Sequence, residues 1–157
     1  MGQFVILAGP DPGVTISRLY HIGGLIVAIT LAEAKRIIEG SLAKAEELNI
    51  KVSVAVVDNG GRLIAMNKMD GAIWASTYGC IGKAVGSSAF GRPSGEMQER
   101  ADQPTPRGIA AASGGEMILG QGAVPIFRNG ALEGACGVGG GTSQQDEDCA
   151  RAGVAKL

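Results

Sequence analysis

The sequence predicts an α+β layered domain built on an antiparallel sheet. Two hairpin turns carry that prediction: Asp58-Asn59-Gly60-Gly61 and Asn129-Gly130 each separate strand-like segments, and both supply residues that tolerate positive φ. Helical periodicity lies outside these hairpins and does not alternate with single strands, which argues against a doubly wound parallel sheet. The chain has 157 residues, 45% hydrophobic and 18% charged, enough apolar material for one packed core.

Residues 1–28 read as an N-terminal arm, with 29–157 as the single domain. The arm holds the turn Gly9-Pro10-Asp11-Pro12-Gly13 and the neighbours Tyr20 and His21. An oligomer partner is expected to order such an arm.

The first helix is expected over 30–49. Thr30-Leu31-Ala32-Glu33 has the form of a capping box, and Leu31, Ala34, Ile37, Ile38, Leu42, Ala45 and Leu48 recur at helical spacing. Asn49 suits the C-terminal cap. Valine-rich 51–57 and its return 62–69 form the first hairpin. A glycine-studded helix follows over about 75–90, with Gly79, Gly82 and Gly86 on one face. That face admits tight helix packing against the sheet, or a flat ligand.

Ser94 is expected to cap a short helix running to about Asp102. Gln103 to Arg107 holds two prolines and reads as a loop, and 108–115 is ambiguous. Residues 116–120 read as a short strand, and 124–128 with 131–138 as the second hairpin. The glycines 139–141 break the last strand. Thr142-x-x-Gln145 then repeats the capping-box form, opening a helix that runs to the C-terminus.

Composition excludes several functions. Net charge is −1 and aromatics are 4%, so neither the charge footprint nor the stacking surface of a nucleic-acid binder is present. The apolar run 22–31 is too short to span a bilayer. Three cysteines without a C-x-x-C pair argue against a disulfide framework or a zinc site, so no metal site is expected. Reduced, buried thiols in a cytoplasmic protein are the default. The 26 glycines have no Gly-x-y period, so collagen is excluded.

Several residues are candidates for chemistry. Lys83 lies between Gly79 and Gly86, where an uncrowded ammonium can hold a carboxylate; the plainer alternative is a solvated, snorkelling lysine. Asp70 and Glu96 are candidate proton carriers, with Lys83 completing a catalytic set. Asp70 also suits a cap, and Glu96 an i, i+4 ion pair with Arg100. Arg92 is a second carboxylate partner. Gly140, Gly141 and Thr142 belong to the strand-to-helix turn 139–142, and the ligand site, with Gly122, is expected where the glycine-rich helix, the Gly120–Val124 stretch and this turn approach one another. His21, with Tyr20 beside it, is a candidate axial haem ligand. The turn lacks the P-loop ending and is followed by three acidic residues, so nucleotide binding is disfavoured.

Several segments together resemble the GlcG/HbpS-like family, the haem-degrading domain family. They are Val54 to Leu63, Lys68-Met69-Asp70-Gly71-Ala72, Gly82-Lys83-Ala84, Gly120 to Ile126, Gly134 to Thr142 and Gln145 to Gly153. The resemblance covers roughly residues 30–157. It implies a profilin-like fold, with a five-stranded antiparallel sheet and helices on both faces. It also implies assembly into dimers, tetramers or octamers, and a small-molecule ligand, with haem or a related tetrapyrrole as the cofactor. Family members include a haem-binding sensor partner, a glycolate-operon protein and domains attached to cobalamin adenosyltransferases. Others serve the catabolism of aromatic compounds, so a tautomerase, dehalogenase or lyase acting on a muconate-type acid is the alternative. A non-catalytic, partner-binding oligomer is the third. The chain departs from the family pattern at Gly120-Gln121-Gly122 and at Val138-Gly139-Gly140-Gly141-Thr142, where a serine contact is missing. The arm matches no family motif, so His21 inherits no role from it.

Overall fold

The computed structural model describes residues 29–157. Its elements are α1 (Leu31–Glu47), β1 (Ser53–Asp58), β2 (Leu63–Lys68), α2 (Ala75–Phe90), α3 (Gly95–Gln98), α4 (Pro104–Ala112), β3 (Ala123–Arg128), β4 (Ala131–Gly139) and α5 (Ser143–Val154). The strands form one antiparallel sheet in the order β2-β1-β4-β3.

The period of two in β1 divides its side chains between two layers. Val52, Val54 and Val56 point into the main core with Ile37 and Ile38 of α1 and Cys149 and Ala150 of α5. Ser53 and Val57 point the other way, toward α2: the Ser53 and Ser76 hydroxyls lie 2.7 Å apart, and Val57 packs on Ala84. Helices therefore cover both faces. α1 and α5 close on each other at Gly40 and Gly153, where a methyl on Gly153 would strike the Ser41 hydroxyl and the Ile37 carbonyl.

Both capping boxes form as the sequence predicts. The Thr30 hydroxyl accepts from the Glu33 N–H while Glu33 accepts from the Thr30 N–H, and Thr142 and Gln145 repeat the exchange. Each such cap contributes about 1 kcal/mol.

Three expectations are corrected. The sheet has four strands among the described residues, not five, because 116–120 lies along α2 instead of along a strand: the Ile118 N–H donates to the Gly82 carbonyl at 2.9 Å. Ser94 does not cap a helix through Asp102. Its hydroxyl accepts from the Ala123 N–H at 2.9 Å, and the helix after it spans only Gly95–Gln98. The segment 103–107 is not a loop: Pro104 opens α4 at a position whose N–H would have no helical partner anyway.

Arg128, at the end of β3, ties the sheet to α1. It donates to Glu33 at 2.7 Å and lies 3.2 Å from Glu133, which is 4% exposed. Burial pushes the Glu133 carboxyl above its ordinary range, with Arg128 opposing and Glu33 adding to the rise. Burial also pushes Glu33 upward, but hydrogen bonds from Thr30 and the Arg128 guanidinium outweigh it, leaving Glu33 below its usual value.

The three cysteines are free and buried. Desolvation raises Cys80 and Cys136 to about 12 and Cys149 to about 11, which leaves them poor nucleophiles near neutral pH. No helix among the described residues is long and apolar enough to cross a membrane.

Candidate functional site

The glycines decide where α2 lies. Gly137 and Gly139 of β4 have no side chain beneath it; a methyl on Gly137 would strike the Cys80 carbonyl, and one on Gly139 would come within 2.8 Å of the Ser76 carbonyl. On its other side α2 receives the 117–119 segment. The Ile118 side chain fills the gap over Gly82, and the Ile118 carbonyl lies over Gly86. Gly79 has nothing near its missing side chain, so the predicted three-glycine face serves two contacts and leaves one open.

Lys83 follows Gly82 and turns inward. Its ammonium is 2.7 Å from Asp146 Oδ2 and donates to the Gln121 carbonyl at 3.3 Å. Asp146 Oδ1 accepts from the Gly141 N–H at 2.9 Å. The pair is nearly dry, with side chains 10% and 4% exposed. Gly122, at φ +132°, leaves the space it occupies: a methyl there would sit 2.5 Å from the Lys83 ammonium. The pair thus pins α2, the approach to β3 and the start of α5 to one another.

An open groove lies on the outer side of α2. It has a volume of about 340 Å³ and is walled by Leu63, Tyr78, Ile81, Val85 and Ile118, over the Gly82 backbone. Arg62 and Glu116 stand at its rim, 3.8 Å apart and both well exposed. The Trp74 ring meets the Tyr78 ring edge-on, with centroids 5.9 Å apart and planes at 88°. Trp74 and Tyr78 are 75% and 69% exposed, so the groove continues into an aromatic patch. A second, more polar cleft of about 290 Å³ lies between Glu96, Gln121, Glu147 and Arg151. Arg151 donates twice to Glu147 Oε1, at 2.9 and 2.5 Å.

The decisive likeness is to a family model, the haem-degrading protein HbpS-like model, which matches residues 29–155. The chain belongs to the HbpS-like family. An uncharacterized 15.0 kDa protein of the dhaT–dhaS intergenic region of Citrobacter freundii is 35% identical over 123 residues, 77% of this chain and 86% of that protein. PduOC, solved as a haem complex, is 25% identical, with a TM-score of 0.75 over 83% of this chain and 96% of that one. The full corrinoid adenosyltransferase PduO of Citrobacter freundii is longer, and the match spans 39% of it. A double mutant of HbpS from Streptomyces reticuli is 25% identical, with a TM-score of 0.75 over 99% of both chains.

In this HbpS-like domain α2, the Gly120–Val124 stretch and the 139–142 turn come into contact. Lys83, Gly122 and Gly141 meet there, and Thr142 caps the helix that carries Asp146. Gly140, at φ +129°, instead abuts the Lys51 carbonyl. Asp70 is exposed in the turn after β2, at the sheet edge opposite β3. Glu96 lines the polar cleft; Arg100 turns to Gln103 at 3.4 Å and makes no ion pair with it. Arg92 is exposed and has no ion pair among the described residues. Tyr20 and His21 lie outside the described residues.

Sequence reasoning missed two things. Asp146 was legible only as an acid in the first turn of a helix. A lysine on an otherwise small, apolar face calls for a counter-ion, because lysine is almost never buried unpaired. The groove was illegible: Leu63, Tyr78 and Ile118 come from three separated segments that only the docking of 117–119 on Gly82 brings together.

Proposed function

We propose that this protein is an oligomeric binder of haem or a related tetrapyrrole, which sits in the groove on the outer side of α2. The observation that carries this reading is the groove itself, an apolar slot with one cation at its rim. Its volume falls within the range of small-molecule sites, roughly 300–1,000 Å³. Haem is flat, apolar across its faces and anionic at its propionates. Leu63, Ile81, Val85 and Ile118 offer the apolar surface, and Arg62 offers the charge, held only by an exposed pair with Glu116 that costs little to break. The haem complex of PduOC supports the assignment. Bound haem would supply an iron centre for ligand binding or electron transfer.

The exposed Trp74 and Tyr78 support assembly, since aromatic residues are enriched where protein surfaces meet. A second copy covering this patch would also enclose the open groove.

Titrating the full chain with haemin tests the reading. A Soret shift that saturates at a defined stoichiometry, on a species larger than a monomer in light scattering, is expected. A linear response up to about ten times the protein concentration would remove it.

A second reading, turnover of a small carboxylic acid, rests on the polar cleft. There Arg151 would hold the substrate carboxylate and Glu96 would carry the proton. Lys83 is committed to Asp146 in this structure and would act by holding the cleft wall. Unchanged turnover of a panel of such acids in Glu96→Gln would exclude it.

A further inference from the structure

We infer that Tyr78 ligates the iron of the tetrapyrrole, an assignment that rests on the groove being the haem site. Among the groove's walls Tyr78 is the one neutral side chain with a donor atom suited to ferric iron. The remaining wall side chains are aliphatic; at the rim the Arg62 guanidinium has no lone pair to offer iron, and the well-exposed Glu116 carboxylate is the one competing donor. Phenolate oxygen is an established axial ligand for haem iron.

The geometry favours it further. Tyr78 sits one helical turn before Gly82, where Ile118 docks, and so stands beside the Ile118 wall of the groove. The Trp74 ring stands edge-on against the Tyr78 ring. Gly79 beside it has open space where a side chain would stand. On binding, the phenol proton passes to solvent, the iron–oxygen bond forms and the iron's solvent ligand leaves; no electron is transferred. An anionic oxygen donor favours ferric over ferrous iron, so the reduced complex is expected to lose this bond.

The test uses the full chain as ferric and ferrous haem complexes, with Tyr78→Phe and Tyr78→His. Tyr78 is 69% exposed, so both variants should keep the fold, and circular dichroism checks that they do. The wild type is expected to show a phenolate-to-iron charge-transfer band and phenolate modes in resonance Raman. Tyr78→Phe should lose both and bind haemin at least about tenfold more weakly, equivalent to about 1.4 kcal/mol. Tyr78→His should recover tight binding with an imidazole-type spectrum. If the wild type binds haemin and Tyr78→Phe leaves its spectrum unchanged, Tyr78 is not the ligand and the groove reading stands. A wild-type spectrum of imidazole type that is lost in His21→Ala also overturns the assignment. If the wild type binds no haemin, the groove reading falls, and this assignment with it.

Discussion

Replacing Lys83 with methionine removes an ammonium while keeping most of the volume. Asp146 then retains the Gly141 N–H on Oδ1 at 2.9 Å, but its Oδ2 loses the counter-charge it had at 2.7 Å, in a site 4% exposed. Removing one partner of a buried pair costs about 3–5 kcal/mol. The surviving hydrogen bond puts the expectation at the lower end, about 3 kcal/mol. For a domain of this size that lowers Tm by roughly 10 °C. Urea unfolding of Lys83→Met, Asp146→Leu and the double variant measures it as a cycle. The double variant should be more stable than the sum of its parts by about 2 kcal/mol or more, because it leaves no orphaned charge. A loss under about 1 kcal/mol in Lys83→Met, or strict additivity, would refute the claim that this pair holds the three segments together.

Three further outcomes follow from the same structure. Gly122→Ala puts a methyl 2.5 Å from the Lys83 ammonium at φ +132°, so urea unfolding should show a loss of at least about 2 kcal/mol. The carboxyls at Arg128 act in opposite directions with pH. Glu33, depressed, stabilises above its unfolded value of about 4.3 and loses that contribution as pH falls through its lower folded value; Glu133, raised, costs stability as pH rises from about 4.3 through its higher folded value. Glu33→Gln should therefore flatten the acid limb of a stability–pH curve and Glu133→Gln the limb just above it; identical curves for both variants would contradict this. The thiols, raised to about 11 and about 12, should resist a thiol reagent in the native protein at neutral pH, and all should react in denaturant.

The elements that were legible in the sequence are those fixed by local chemistry. Thr30 with Glu33, Thr142 with Gln145, and the Asn129-Gly130 turn each need only neighbours in the chain. Two of the misreadings turn on partners far away, and the third on where a proline falls within a helix. Residues 116–120 have the composition of a strand, yet Gly82 offers them a helix backbone to dock on. Ser94 has the composition of a cap, yet the edge of β3 at Ala123 takes its hydroxyl. Pro104 and Pro106 read as breakers, yet the first turn of a helix has no internal N–H bonds to lose. For the site, Lys83, Gly122 and Gly141 were legible as a meeting place because glycine marks close backbone approach. Their occupant was not, because Asp146 comes from 63 residues further along the chain.

The most direct test of the account is a haemin titration of the wild type beside Ile118→Asp, followed by absorbance. The variant places a carboxylate in the apolar wall of the groove, and because Ile118 also packs over Gly82, Leu63→Asp, at a wall residue 50% exposed, is titrated beside it with the same expected loss. The account predicts saturable binding in the wild type and a loss of at least about tenfold in Ile118→Asp. Equal binding by the three proteins would place the ligand elsewhere and contradict it.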